Sequence, residues 1–345
     1  MNSSPLRTLG FAACLSLTSL FSAGEIQSSK SPYPVVGNIE RLDPALDQLL
    51  APDAKLEKLA EGFKWSEGPV WSAQKNALLF SDTQTNIVYR WQDGEGIHIF
   101  ITPSGFTGEH FDGREPGSNG LTFDPKGRLT LAQHGNRQVA QLNDDGHTFT
   151  PLATHFEGHR FSSPNDLCFD HAGRLYFTDP PYGLPNHTSP EMPFNGVYCR
   201  ETDGKVVLIT KELPRPNGIA LSPDQRTLYV GNSDGGKPVI LAIPVKDDGS
   251  FGPSKVFFDM SELAAHGHRG APDGFKVDKK GNVWTSGPGG ILVIDPNGKH
   301  LGTIHTGQPT ANCAFGGPDG SVLYITANNQ LQRIQTKTTA PIPGT

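Results

Sequence analysis

Short apolar runs separated by turn residues mark the chain from about residue 55 onward, and they recur as one unit. The stretch Pro164–Asp179 shows it most clearly. An apolar run at Leu167–Asp170 is followed by a turn at His171-Ala172-Gly173 and a second run at Arg174–Thr178. Runs of this length predict β-strands, and a glycine between two of them predicts a tight hairpin. Ahead of the first strand stands a small polar pair, Asn165-Asp166. The same order recurs behind Glu67, Asn119, Asn217, Asp273 and Asn312, at intervals of 39 to 56 residues. A period of about 40–50 residues made of four short strands predicts a β-propeller with one repeat per blade. The fold expected is therefore all-β, a six-bladed β-propeller.

Phase also predicts how the ring closes. Each repeat ends on an outer strand just before the next lead residue, and Leu56–Ala60 is such a strand with no blade before it. After Asn312 the chain supplies only three strands, near Cys313–Gly316, Val322–Thr326 and Leu331–Ile334. The N-terminal strand is expected to complete the last blade, which removes the open sheet edges an unclosed array would leave. The domain organisation expected is a propeller over 55–345 and a leader over 25–54, whose short helix (Asp43–Leu50) packs outside the blades. Residues 1–24 carry Arg7, an apolar run from Leu9 to Phe21 and Ser22-Ala23-Gly24, the pattern of a secretory signal peptide. The run is too short to span a bilayer. An exported, periplasmic or secreted protein with no membrane contact after cleavage is expected.

Composition narrows the partners. The chain has 345 residues with 40 Gly and 29 Pro, without a collagen-like period, as turn-rich β-structure requires. The net charge of −6 is spread without long runs, which argues against nucleic acid. Export leaves Cys168, Cys199 and Cys313, an odd set that reads as apolar filler and not as a disulfide framework.

Strand direction sorts the connections onto two rims. The long ones, Pro103–Ser118, Glu157–Pro164, Pro180–Gly196 and Met260–Pro272, share the rim where the lead residues begin the innermost strands. Binding sites commonly sit on such loops above a rigid scaffold. The lead residues Glu67, Asn119, Asn165, Asn217, Asp273 and Asn312 thus converge near the axis as an all-oxygen set, which suits a hard cation such as Ca²⁺ better than zinc. Asn-Gly and Asp-Gly pairs are also plain turn formers. That reading serves Asn119 and Asn312 as well as ligation does, but it fails for Glu67. His134, Asp179, Tyr182 and Asn232, with Asp82, fall at or just past the ends of second strands and, with Asn119, are candidate contacts for a polyol substrate. His134 reads equally well as a histidine bonded to the neighbouring blade. Asp166 is expected to support Asn165 from behind. The acid pairs Asp144-Asp145 and Asp247-Asp248 read as turns.

The stretches SEGPVW, SNGLTFD, SPNDLCFD, FTDPPYG, RPNGIALSPD and APDGF resemble the SMP-30/gluconolactonase/LRE family, with exported bacterial gluconolactonases nearest in pattern. The resemblance runs from about Ile39 to Ile334. It implies a six-bladed propeller with a central divalent ion held by Glu67, Asn165, Asn217 and Asp273, with Asp273 as general base. Glu67 is the alternative base. The chemistry expected is opening of a sugar lactone, at a cation that polarises the carbonyl. Another lactone, an ester or a phosphotriester remains an alternative substrate, and a non-catalytic carbohydrate- or protein-binding propeller an alternative class. Covalent catalysis is disfavoured because no Cys stands beside a plausible His.

Overall fold

The structure, a computed structural model, describes residues 1, 27–28 (backbone only), 33–267 and 270–345. The export signal read at 1–24 lies, Met1 apart, outside the described residues. The first unit pairs antiparallel strands Ser66–Ser72, Ala77–Asp82, Ile87–Gln92 and Gly96–Ile101 in chain order. The same up-and-down order recurs in blades whose innermost strands are Ser118–Phe123, Leu167–Phe169, Pro216–Leu221, Phe275–Val277 and Thr310–Gly316. Each innermost strand contacts the next, and Thr310–Gly316 returns to Ser66–Ser72, so the six form a closed ring. The propeller expected from the period is the fold observed.

Closure follows the strand count. Leu56–Glu61 pairs antiparallel with Gln330–Gln335, placing Leu56 opposite Ile334, and supplies the outer strand of blade 6. The leader goes further than packing outside. Asn38–Arg41 adds a fifth strand to blade 5, pairing Ile39 with Ile304. The short helix expected over Asp43–Leu50 is instead a 3-10 turn, Pro44–Gln48. Asp43 accepts from Ala45 N at 2.8 Å, and the i→i+3 bonds from Leu46 N and Leu49 N tighten the turn too far for α-geometry. Its Leu46, with Leu49 and Leu50, is buried against Trp284, Ile291, Phe315 and Ile325, between blades 5 and 6.

Apolar burial is divided among the blade interfaces. Val70 and Leu79 of blade 1 meet Leu121 and Leu131 of blade 2. Phe177 of blade 3 packs with Ala132 and Val139 of blade 2, and Tyr229 of blade 4 with Phe275 and Leu292 of blade 5. Trp71 and Phe80 of blade 1 meet Tyr324 and Leu331 of blade 6. Alternating strand residues thus serve two neighbours, and the axis is left to polar groups. Cys168, Cys199 and Cys313 are free thiols, the last two buried. No helix among the described residues is long and apolar enough to cross a membrane.

The glycines behind the lead residues have a packing reason. Gly218 donates its N–H to Asp273 O at 2.9 Å, and a Cβ at Gly218 would overlap that carbonyl. Gly120 donates to Asn165 O at 2.8 Å in the same way. Both lie inside strands, so these Asn-Gly pairs are not turns; they let one blade's backbone touch the next blade's lead residue. Gly218→Ala should therefore cost about 1–3 kcal/mol through overpacking, while Gly235→Ala, with open space around its Cβ position, should be near neutral. Urea unfolding of the two variants checks this, and equal midpoints would contradict it.

Candidate active site

Two devices fix the lead residues. Register slips fall at Glu67/Val70, Ser118/Leu121, Pro216/Ile219 and Thr310/Asn312, so the pairing opens where these strands reach the rim. In blades 3 and 5, Asn165-Asp166 and Asp273-Gly274 precede the paired strand altogether. The second device sits at the ends of second strands. Asp82 accepts from Lys64 N at 2.9 Å and Trp65 N at 3.0 Å, and Asp179 from Ser162 N at 2.9 Å and Ser163 N at 2.7 Å. Asn232 Oδ1 accepts from Arg215 N at 2.9 Å while its Nδ2 donates to Lys237 O at 2.8 Å.

Asp179 and Asn232, read from the sequence as substrate contacts, are therefore corrected. Both are 0 % exposed, and they tie down the backbone just ahead of Asn165 and Asn217. Burial pushes the Asp179 carboxyl up to about 7 against the pull of its two N–H donors.

The axis itself is acceptor-rich. Asn312 Nδ2 donates to Glu67 Oε2 at 3.2 Å and to Asp166 Oδ2 at 3.4 Å. Blades 3 and 6 face each other across the ring, so the second bond spans the channel. Asp166 accordingly does not support Asn165 from behind. It accepts from its neighbour's Leu167 N at 2.9 Å and points into the shared channel. Lys276 Nζ reaches Asn312 Oδ1 at 3.4 Å from below and holds Asp166 down, although burial still raises that carboxyl. Burial also raises Glu67, with the charges of Asp166 and Glu115 adding to it. Asp273 is raised well above the usual aspartate range by burial and then by the charges of Glu67, Asp166 and Glu115. Glu67 and Asp273 thus lie within each other's field in one channel.

The amides complete the picture. Asn217 donates Nδ2 to Ser233 Oγ at 2.9 Å, which leaves its Oδ1 buried without a donor. Asn119 Oδ1 is buried and unpartnered as well. Orphaned amide oxygens beside carboxylates that resist ionising form a donor set for a hard cation. Among the described residues no three His, Cys, Asp or Glu side chains gather as a metal group. A cation here would depend on the amide oxygens as much as on Glu67 and Asp273.

Two of the long loops enclose the mouth. Asn86 holds the base of the first, accepting from Ser104 N at 3.0 Å and Gly105 N at 2.7 Å. Its tip meets the loop after Asp179 where Asn186 Nδ2 donates to Asp112 Oδ1 at 3.0 Å. Tyr182 of that second loop stacks under the Arg215 guanidinium, 5.6 Å from the ring centre. Its hydroxyl is raised by burial and then by the charge of Asp273, which places it near that carboxylate. His134 follows the second of its two sequence readings, a histidine bonded to the neighbouring blade. It is 0 % exposed beneath Gly183, and both ring nitrogens are engaged, Nδ1 with Glu115 and Nε2 with Asn165. It has no open edge for a substrate.

Glu115, Arg215, Ser233 and Lys276 were not singled out in the sequence. Lys276 left a signal there: it occupies the column of Val70, Thr122, Cys168 and Ala220, three residues past each lead, where a charge is out of place. The 780 Å³ cavity below it, lined by Lys276, Val277 and the tail from Ala340 to Thr345, opens on the opposite face and contains neither Glu67 nor Asp273.

A closed six-bladed ring with a polar, carboxylate-bearing axial mouth under two bridged loops defines the class: a propeller with a small-molecule site on its axis. The chain belongs to the family described as the SMP-30/gluconolactonase/LRE-like region, whose model matches residues 65–329. It is 40% identical to a gluconolactonase of Zymomonas mobilis over 325 residues, covering 91% of both chains. The solved gluconolactonase XC5397 of Xanthomonas campestris matches with a TM-score of 0.77 and 29% identity, over 90% of this chain and 98% of that one. A regucalcin of Agrobacterium tumefaciens, solved as a calcium-binding protein, shares the fold at a TM-score of 0.65 and 18% identity, over 90% of this chain and 97% of that one.

The raised carboxylates set a pH dependence. Glu67 and Asp273 hold their protons more tightly in the folded chain than in the unfolded one. Their contribution to stability is intact below the ordinary carboxylate range and is lost as pH rises through the raised values. Metal-free protein should lose melting temperature between about pH 5 and 8. A divalent cation held by the ionised forms would oppose the loss, so the gap between curves taken with and without added calcium should widen with pH. A gap independent of pH would contradict this.

Proposed function

We propose that the protein is a hydrolase that opens sugar lactones, glucono-1,5-lactone first among them, at a divalent cation on the propeller axis. The observation that carries this is the meeting of Glu67 and Asp273, each raised in part by charge from the same channel, with donor-free amide oxygens of Asn119 and Asn217. The 40% identity to a gluconolactonase supports the substrate class. Glu67, Asn165, Asn217 and Asp273 would hold the ion, and the hard oxygen set favours Ca²⁺. Bound there, a cation supplies positive charge against the oxygen of a lactone carbonyl and acidifies nearby water.

The remaining chemistry belongs to the side chains. Asp273 accepts the proton of the attacking water from its place in the same channel as the proposed ion. Glu67, with Oε2 already accepting from Gly68 N at 2.8 Å and from Asn312, is better held as a ligand than as a base. Tyr182 and Arg215 form one wall of the mouth and offer donors to sugar hydroxyls, and to the carboxylate that ring opening creates. Export through the N-terminal segment would place the reaction in the periplasm.

Two measurements test the reading. Stripping metal with a chelator should abolish lactone opening, and calcium should restore it; turnover indifferent to chelation would contradict the proposal. Asp273→Asn should lower kcat by about 10²–10⁴-fold while the circular dichroism spectrum is unchanged. An unaltered kcat would remove Asp273 as the base and leave Glu67 in that role, whereas a wild-type protein with no turnover on any lactone would leave the non-catalytic binding propeller as the better reading.

A further inference from the structure

The buried His134 has no place in the chemistry above, yet both its nitrogens are committed. Nδ1 lies 3.1 Å from Glu115 Oε2, and Nε2 lies 3.4 Å from Asn165 Nδ2. Glu115 comes from the long loop over the mouth, His134 from the end of the second strand of blade 2, and Asn165 from the lead position of blade 3. Gly183 lies against the histidine ring.

The polarity of this chain of contacts runs one way. An ionised carboxylate only accepts hydrogen bonds, so the proton between Glu115 and His134 resides on Nδ1. The Asn165 amide turns its Nδ2 toward Nε2 at 3.4 Å, the arrangement in which Nε2 accepts and the ring proton sits on Nδ1. With Nδ2 committed to the histidine, the oxygen of the same amide must face the other way. An amide cannot otherwise distinguish its two ends by shape, because oxygen and NH₂ fill nearly the same space.

We infer that Glu115 is a positioning residue: through the His134 tautomer it fixes which end of the Asn165 amide faces the axis, so that an oxygen and not an NH₂ group is presented to a cation. This rests on the axial ion proposed above. Outer partners of this kind typically change metal affinity by about 10–100-fold when removed. Glu115 also contributes plain negative charge to the channel, as its effects on Glu67 and Asp273 show. Any test must therefore separate orientation from charge.

Two substitutions do so. Glu115→Gln removes the charge but keeps an acceptor oxygen for Nδ1–H, whereas Glu115→Ala removes both. Calorimetric titration of the full-length, metal-free proteins with calcium should show affinity falling about 10–100-fold in Glu115→Ala and no more than about threefold in Glu115→Gln. Equal losses in the two variants would overturn the positioning role and leave a charge effect. A second readout needs no metal. In ring-¹⁵N-histidine protein, the His134 signals, assigned by their absence from His134→Phe, should show a protonated Nδ1 and a bare Nε2. A protonated Nε2 in the wild-type protein would overturn the inference directly. Absence of any calcium binding by the wild-type protein would instead sink the axial ion, and the role assigned to Asn165 with it.

Discussion

Negative charge gathered where water is scarce is the constraint on which the rest of this molecule depends. Glu67 and Asp166 are nearly fully buried, Asp273 stands in their field, and Lys276 approaches Asp166 from below. Burying carboxylates together is costly unless something positive or hydrogen-bonding meets them. Asn312 answers part of that need by donating to two of them at once, and Lys276 moderates Asp166. What remains is an excess of acceptors, since the oxygens of Asn119 and Asn217 have no donor at all. A polar centre so arranged would destabilise an ordinary core. Here it is carried by stability generated elsewhere, in apolar clusters spread over the blade interfaces.

The division of labour within each blade follows from that separation. Innermost strands bring backbones close enough that only glycine fits behind several lead residues, as at Gly120 and Gly218. Second strands end in an acid or amide that holds the descending backbone, as Asp82, Asp179 and Asn232 do. The long loops then roof one rim and bring Glu115, Tyr182 and Arg215 to the mouth. Closure by Leu56–Glu61, reinforced by the leader strand Asn38–Arg41, keeps the ring from opening between its first and last repeats.

Much of this was legible in the chain because repetition exposes it. The strand period, the number of blades, the closing strand and the lead positions all recur, and Glu67 stood out by breaking the Asn-Gly habit of its column. What was not legible involves side chains whose direction no repeat specifies. Asp179 and Asn232 occupy the right rim, but a backbone-capping carboxylate and a substrate-facing one have the same sequence. Asp166 fills the slot where neighbouring repeats have glycine, and only the closed ring reveals that it meets Asn312 across the axis. His134 was noticed without its role, because its partner Glu115 lies in an insertion that belongs to no repeat. The leader turn takes 3-10 form through the Asp43 cap and the i→i+3 bonds behind it, and its Leu46 is buried between two blades, neither of which any repeat displays.

The most direct test of the central claim is crystallographic. Crystals of the full-length protein grown with calcium, and measured at a wavelength where calcium scatters anomalously, should show one strong peak on the axis. Its ligands should be the oxygens of Glu67, Asn165, Asn217 and Asp273, about 2.3–2.6 Å away. Featureless density at that position, or a lysine or water network satisfying the same four side chains, would contradict the account.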